Sequence, residues 1–144
     1  MIKLKSKIGK INSSDEEAYN FLSSFNNFQK FIPEDKIQNW EATENSCHFT
    51  IEGIGDTGMK IIEKEPFKLV KITGDESGEI EFNFWIQLKQ ITENDTRIRL
   101  TIQAHINPMF QVVVKKPLQN FLNTLVEHIE KINFSSVNKE SYPP

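Results

Sequence analysis

The sequence predicts an α+β domain: one strand, two short helices, six more strands, then one long C-terminal helix. Three observations lead there. Between Lys36 and Ile106 apolar and polar residues alternate in short runs separated by turn residues, which is the period of strands. From Asn107 to Phe134 the apolar residues instead recur at steps of three and four, which is the period of a helix. The chain has 144 residues, enough for one domain with its own core.

The elements follow in order. Ile2, Leu4, Ser6 and Ile8 alternate with Lys3, Lys5, Lys7 and Gly9, a strand with one wet face whose lysines suit a protected sheet edge. Ser13 or Ser14 can cap a helix, with Glu16 or Glu17 as reciprocal partner, and Ala18, Phe21, Leu22 and Phe25 share its apolar side. Asn26 and Asn27 end that helix, and a second short turn from Phe28 to Ile32 stops at Pro33. Strands are expected over Ile37–Thr43 and Cys47–Glu52, joined by the Glu44-Asn45-Ser46 turn. Gly53–Gly58 reads as a glycine-rich turn, and strands are expected over Met59–Glu65 and Phe67–Thr73. After the 74–78 turn come two cleanly alternating strands, carrying Ile80, Phe82, Phe84, Ile86 and Leu88, then Ile98, Leu100, Ile102, Ala104 and Ile106. Short connections make the six strands an antiparallel meander. Asn107 caps the last helix, Pro108 suits its first turn, and Leu118, Phe121, Leu122, Leu125, Ile129 and Ile132 form its stripe. Residues 1–134 are expected to form the single domain, and the polar 135–144 a flexible tail.

Charge and cysteine content exclude several classes. Seventeen basic and twenty acidic residues give a net charge of −3, with no basic surface of the kind a nucleic-acid backbone requires. One cysteine, Cys47, allows no internal disulfide and no cysteine-only metal site. No secretory signal and no membrane-spanning stretch is read, so the expectation is a cytoplasmic protein. His48, His105 and His128 lack metal-ligand spacing, and Gly53–Gly58 lacks the Gly-Lys-Ser/Thr ending of a phosphate loop, so neither a metal nor a cofactor is expected. Cys47, in phase with Phe49 and Ile51, reads as a buried, inert thiol. Trp85 alternates with the outward set; Trp40 and Trp85 are both candidates for stacking on a ligand.

The element order and several stretches resemble a known group. These are AYNFLSSFNNFQKFIP from Ala18, the PF-x-L-V-K-I-T-G-D segment from Pro66, F-x-F-W-I-Q-L from Phe82 followed by T-R-I-R-L-T-I, and N-P-M…K-P-L-Q-N-F-L from Asn107. They are similar to small bacterial members of the START-like (SRPBCC) superfamily, whose helix-grip fold also serves lipid-transfer, pollen-allergen-like and polyketide cyclase-like proteins. The resemblance runs from Ile2 to about Ile132. It implies a curved seven-stranded antiparallel sheet wrapped around the long C-terminal helix, with two short helices between strands one and two and an apolar cavity inside.

The candidate site residues are those expected to face that interior. From the sheet they are Phe49, Ile51, Met59, Ile61 and Leu69, then Phe82, Phe84, Ile86, Leu100, Ile102 and Ala104; from the helix, Leu118, Phe121, Leu122 and Leu125. An ordinary filled core would use the same residues. Void in a core costs about 24 cal/mol per Å³, so an empty, dry site of about 300 Å³ would cost about 7 kcal/mol, comparable with a domain's whole stability. A large cavity must therefore be wet, occupied or collapsible. Phe110 and Val113 belong to a front segment, 109–114, that falls outside the later stripe, and Pro117 removes the donor that would bond Val113. That segment reads equally as a hinged lid with Phe110 and Val113 toward the ligand or as a packing kink; a third reading is a dimer contact made by the same valines.

The functional expectation is binding, transport or sequestration of a small apolar or amphipathic molecule such as a lipid, quinone or polyketide. The chain would be a monomer or weak homodimer. One alternative is a cyclase or dehydratase acting in the same cavity, although the inward set holds no acid or base and no catalytic residue is assigned. The other is a protein-interaction module.

Overall fold

A computed structural model of the chain describes residues 1–53, 55–78 and 80–134. The expected tail, 135–144, lies outside them. The strands are β1 (Ile2–Lys5), β2 (Gly9–Ile11), β3 (Ile37–Ala42), β4 (Ser46–Ile51), β5 (Gly55–Glu65), β6 (Leu69–Gly74), β7 (Phe82–Thr92) and β8 (Asp95–Ala104). Helix α1 (Asp15–Leu22) and a 3-10 helix (Phe25–Lys30) lie between β2 and β3, and α2 (Pro108–Glu130) follows β8. The sheet is antiparallel in the order β1-β8-β7-β6-β5-β4-β3, with β2 also on β8. β1 and β2 thus share one edge, so seven positions are filled by eight strands, and the α+β helix-grip expectation is met.

The split of that edge corrects the continuous first strand read from the sequence. Lys5 pairs with Thr101 and Gly9 with Ile98, so Ser6, Lys7 and Ile8 stand opposite only Arg99 and Leu100. The extra residue is a bulge, and it reverses the facing of everything after it. Ser6 holds the break: its N–H donates to Leu100 O at 2.8 Å and its Oγ accepts from Leu100 N at 2.9 Å. Ile8 turns out to solvent, while Gly9 and Ile11 turn in. The register also shifts once in each of β3, β5 and β7, leaving an extra residue that includes Ile62 in β5 and Ile91 in β7. Both isoleucines are exposed. In β3 the shift includes Asn39 at φ 57°, a conformation that asparagine tolerates better than most residues. Each bulge adds local bend and twist, which is how a sheet this small becomes concave.

The glycine-rich stretch is a second correction. Gly55 pairs with Ile51 and Gly58 with His48, so 55–58 belongs to β5 rather than to a turn. In the helical region, Ser14 Oγ accepts from Glu17 N at 3.1 Å and starts α1, which stops at Leu22. Ser24 then caps the 3-10 helix. The second turn therefore begins at Phe25, three residues before the expected Phe28, because a new serine cap is available there.

Helix α2 packs against β1, β2 and β8. Its polar side satisfies the open edge: Gln119 Nε2 donates to Lys5 O at 2.7 Å, Asn123 Oδ1 accepts from Lys7 N at 2.8 Å, and Glu130 Oε2 accepts from Lys10 N at 2.9 Å. These bonds cover an edge that would otherwise be free to pair with another chain. The apolar side of the rear half, Leu122, Leu125, Val126 and Ile129, is buried with Val70, Ile72, Ile86, Ile98 and Leu100 of the sheet.

Candidate functional site

The concave face of the sheet can be followed across the ladders, because directly opposed residues share a face. Leu100 opposes Ile86, Ile86 opposes Val70, Ile102 opposes Phe84, Phe84 opposes Ile72, and Ile72 opposes Ile61. Cys47 opposes Met59, and Phe49 opposes Thr57. One end of this face is closed. Ile86, Leu100, Val70 and Ile72 are buried, and so are Leu122 and Leu125 of the helix.

Aromatic side chains fill another part of the interior. The Phe28 ring stacks on Trp40 at 6.1 Å and packs against Phe25 and Phe31 at 4.9 and 4.8 Å. Trp40 then meets Phe49 at 5.3 Å, and Phe21 meets Phe134 edge-on at 5.2 Å. Phe49 is therefore a buried core residue held by Trp40, and Trp40 is a packing residue of the same cluster.

The other end of the concave face is not closed. Met59, Ile61, Phe82, Phe84 and Ile102 turn inward yet keep part of their surface in solvent, as do Leu118 and Phe121 of α2. Ile51, at the end of β4, is partly buried in the same way. Phe82 lies across Gly74, where an added Cβ would come within 2.7 Å of its ring. Ala104 is buried between its ladder partners Ile2 and Phe82. These partly buried side chains of β5, β7, β8 and α2 pack against the closed core. The seven of them from Met59 to Phe121 carry no titratable group.

Three of the expected site residues stand elsewhere. Leu69 pairs with Gln87 and Glu65 on the outer face, and Val70 and Ile72 take the inward positions. The segment Phe67–Ile72 has apolar residues on both parities, so alternation alone does not choose between them; pairing with Ile86 does. Phe110 and Val113 are exposed rather than facing the interior. Pro117 lies within a continuous helix, and no residue of the segment 109–113 is buried.

The histidines are not among these side chains. His48 and His105 are exposed, and His128 Nδ1 donates to Phe31 O at 2.8 Å, tying α2 to the connection before β3. Cys47 is 1% exposed, and burial pushes its thiol up to about 12. Trp85 is on the outer face, with Lys71 Nζ 5.5 Å from its ring. Among the described residues no three His, Cys, Asp or Glu side chains converge as metal ligands, and no helix is long and apolar enough to cross a membrane.

No known sequence family matches the chain, and no curated protein matches it. Solved structures do. A norcoclaurine synthase point mutant from Thalictrum flavum, in complex with a transition-state analogue, is 13% identical and superposes with a TM-score of 0.69 over 97% of this chain and 96% of its own. A conserved protein from Geobacillus kaustophilus gives 14% and 0.70 over 94% and 96%. A START superfamily protein from Mycobacterium smegmatis gives 10% and 0.65 over 96% and 99%. At such identities the likeness concerns the backbone, and over nearly the whole of each chain it is one architecture: the chain has the START-like helix-grip fold.

Proposed function

We propose that the protein binds a small apolar or amphipathic molecule in a trough between the sheet and α2. The observation that carries this reading is the incomplete burial of Phe82, Phe84, Ile102, Leu118 and Phe121, which face inward but are only partly covered. Apolar side chains that turn toward a core and stay wet gain about 25 cal/mol for each Å² that a ligand removes from water. The trough offers such a ligand burial and no acid or base, which favours holding over chemistry. Lipids, quinones and polyketide-like rings have the required character.

The test is binding of an apolar fluorescent dye to the wild type and to Ile102→Trp, which adds bulk on the trough floor, together with thermal melts of both. Lost dye binding at nearly unchanged stability supports the reading. Undiminished binding by the variant, or a melt lowered as for an overpacked core, refutes it.

A further inference from the structure

We propose that the front half of α2, with β1 beside it, docks on the surface of an anionic lipid bilayer. The proposal stands on surface residues and does not depend on the trough being occupied.

The first observation is an apolar face exposed among the described residues. Met109, Phe110, Val112 and Val113 are 78, 57, 84 and 69% exposed. At 100° per residue they lie within an arc of roughly 160° on one side of the helix. Scattered exposed apolar residues are ordinary, but four on one face within five residues make a contiguous patch, which marks an interaction surface.

The second observation is the charge around it. Residues 1–14 and 96–126 hold eight basic residues and no acidic one, although the whole chain has seventeen basic and twenty acidic residues. The rest of the chain therefore carries nine basic and twenty acidic residues. Helix α2 lies against β1, so the two segments meet. Lys7 pairs with Glu127 and Arg97 with Asp95, whereas Lys3, Lys5, Lys115 and Lys116 form no ion pair among the described residues. These four lysines flank or follow the apolar patch.

The third observation is local shape. A shallow hollow of about 320 Å³ lies between β1 and α2, with Lys3 and Lys115 on its walls beside Ile2 and Val112. A second, of about 290 Å³, opens next to it against Val112, Lys115, Lys116 and Gln119. Every charged residue lining either hollow is a lysine. Lys3 and Lys115 would meet a lipid phosphate there, with Met109, Phe110, Val112 and Val113 reaching the acyl boundary. Apolar contact and lysine attraction add in such binding.

A second copy of the chain fits this surface poorly. A two-fold contact would place Lys115 and Lys116 of each copy against the same basic surface of the other.

The experiment is co-sedimentation of the full chain with vesicles of phosphatidylcholine alone and of phosphatidylcholine mixed with phosphatidylglycerol. Sedimentation equilibrium is run in parallel. The wild type is expected to bind the mixed vesicles, less so at high salt. Val112→Gln with Val113→Gln should abolish binding without changing the melt, since both positions are exposed. Lys115→Ala with Lys116→Ala should weaken partitioning about thirtyfold, from roughly 1 kcal/mol for each lysine near an anionic surface. Ile102→Trp should bind vesicles like the wild type, which separates this proposal from the trough reading. No vesicle binding, equal binding to neutral vesicles, or binding that survives the glutamine variant would each overturn it. So would a dimer that the glutamine variant dissociates while no vesicles are bound.

Discussion

His48 Nε2 and Asp75 Oδ2 stand 3.0 Å apart although the whole width of β5 separates their strands. They meet because the β5 residue between them is Gly58, which pairs with His48 and whose O accepts from Asp75 N at 2.9 Å. A Cβ at Gly58 would collide with the Asp75 carboxylate. The carboxylate also accepts from Ser77 N at 2.8 Å and from the Ser77 hydroxyl. That hydroxyl is the main reason the Asp75 carboxyl sits below its ordinary range, with His48 adding to it. Three strands and a turn are thus fastened on the outer face by one carboxylate.

The carboxylate predicts a pH-dependent difference between wild type and Ser77→Ala. A depressed carboxyl pKa contributes stability above the unfolded value of about 3.9, and the contribution is lost as pH falls through the lower folded value. The wild type should therefore melt above Ser77→Ala at neutral pH, and the two should converge in acid. A gap that persisted unchanged in acid would mean the serine acts through packing alone. Gly58→Ala should lower the neutral melt as well, because it displaces the same carboxylate.

Gly9 predicts a larger effect. A Cβ there would collide with Val126 Cγ1 and lie 3.1 Å from Ile98 Cγ2, so β2 and the rear of α2 touch through a missing side chain. Gly9→Ala should cost about 1–3 kcal/mol by overpacking, more than the few tenths to 1 kcal/mol that removing a glycine gains from the unfolded chain. Denaturant titration of both proteins measures it. A stabilised variant would show that the helix can move off the strand freely.

Cys47 should behave as an inert thiol. It is buried, and desolvation is the largest cause of a pKa near 12, so almost no thiolate exists at neutral pH. A thiol reagent should label it slowly in the native protein and quickly in denaturant. Fast labelling in both would contradict the strand register that places Cys47 opposite Met59.

What was legible in the sequence was whatever repeats without interruption. The meander came from turn residues, and the rear stripe of α2 from residues three and four apart; both are as expected. Bulges were not legible. A run such as Lys60-Ile61-Ile62-Glu63 does not say which isoleucine pairs and which is extruded; the partner strand decides, and it extrudes Ile62. The same limit misplaced Leu69 relative to Val70, and carried Ile8 inward with Leu4. The shared face of Phe82, Phe84 and Ile102 is legible, since these positions alternate cleanly. Their partial exposure was not legible, because it depends on how far α2 extends over them. For Phe110 and Val113 the sequence leaves a lid, a packing kink and a dimer contact open, and the helix front carries both residues into solvent.

The front of α2 gives the last prediction. Helix α2 runs unbroken from Pro108 to Glu130 with Pro117 inside it, so the carbonyl of Val113 lacks its usual helical donor. Behind Pro117 the helix is fixed by buried Leu122, Leu125, Val126 and Ile129 and by the bonds of Asn123 and Glu130 to the edge strand. Ahead of it, residues 109–113 are exposed or partly exposed, and Gln111 Nε2 donates to Ile106 O, beside its own cap. The front is thus joined to the rear mainly by helical bonds, at the point where one is missing. Amide exchange in 109–116 should be faster than in 122–130, because few buried contacts oppose its opening. Pro117→Ala restores a donor and removes a clash, so it should slow that exchange and raise stability, by at most the roughly 3 kcal/mol that separates proline from alanine within a helix. At about 2–4 °C per kcal/mol for a domain of this size, the melt should rise by several degrees. If the front segment gates the trough, release of a bound dye should slow in the same variant. Equal protection of the two halves in the wild type would show instead that the helix opens as one piece, and the proline would then be a local defect with no hinge attached to it.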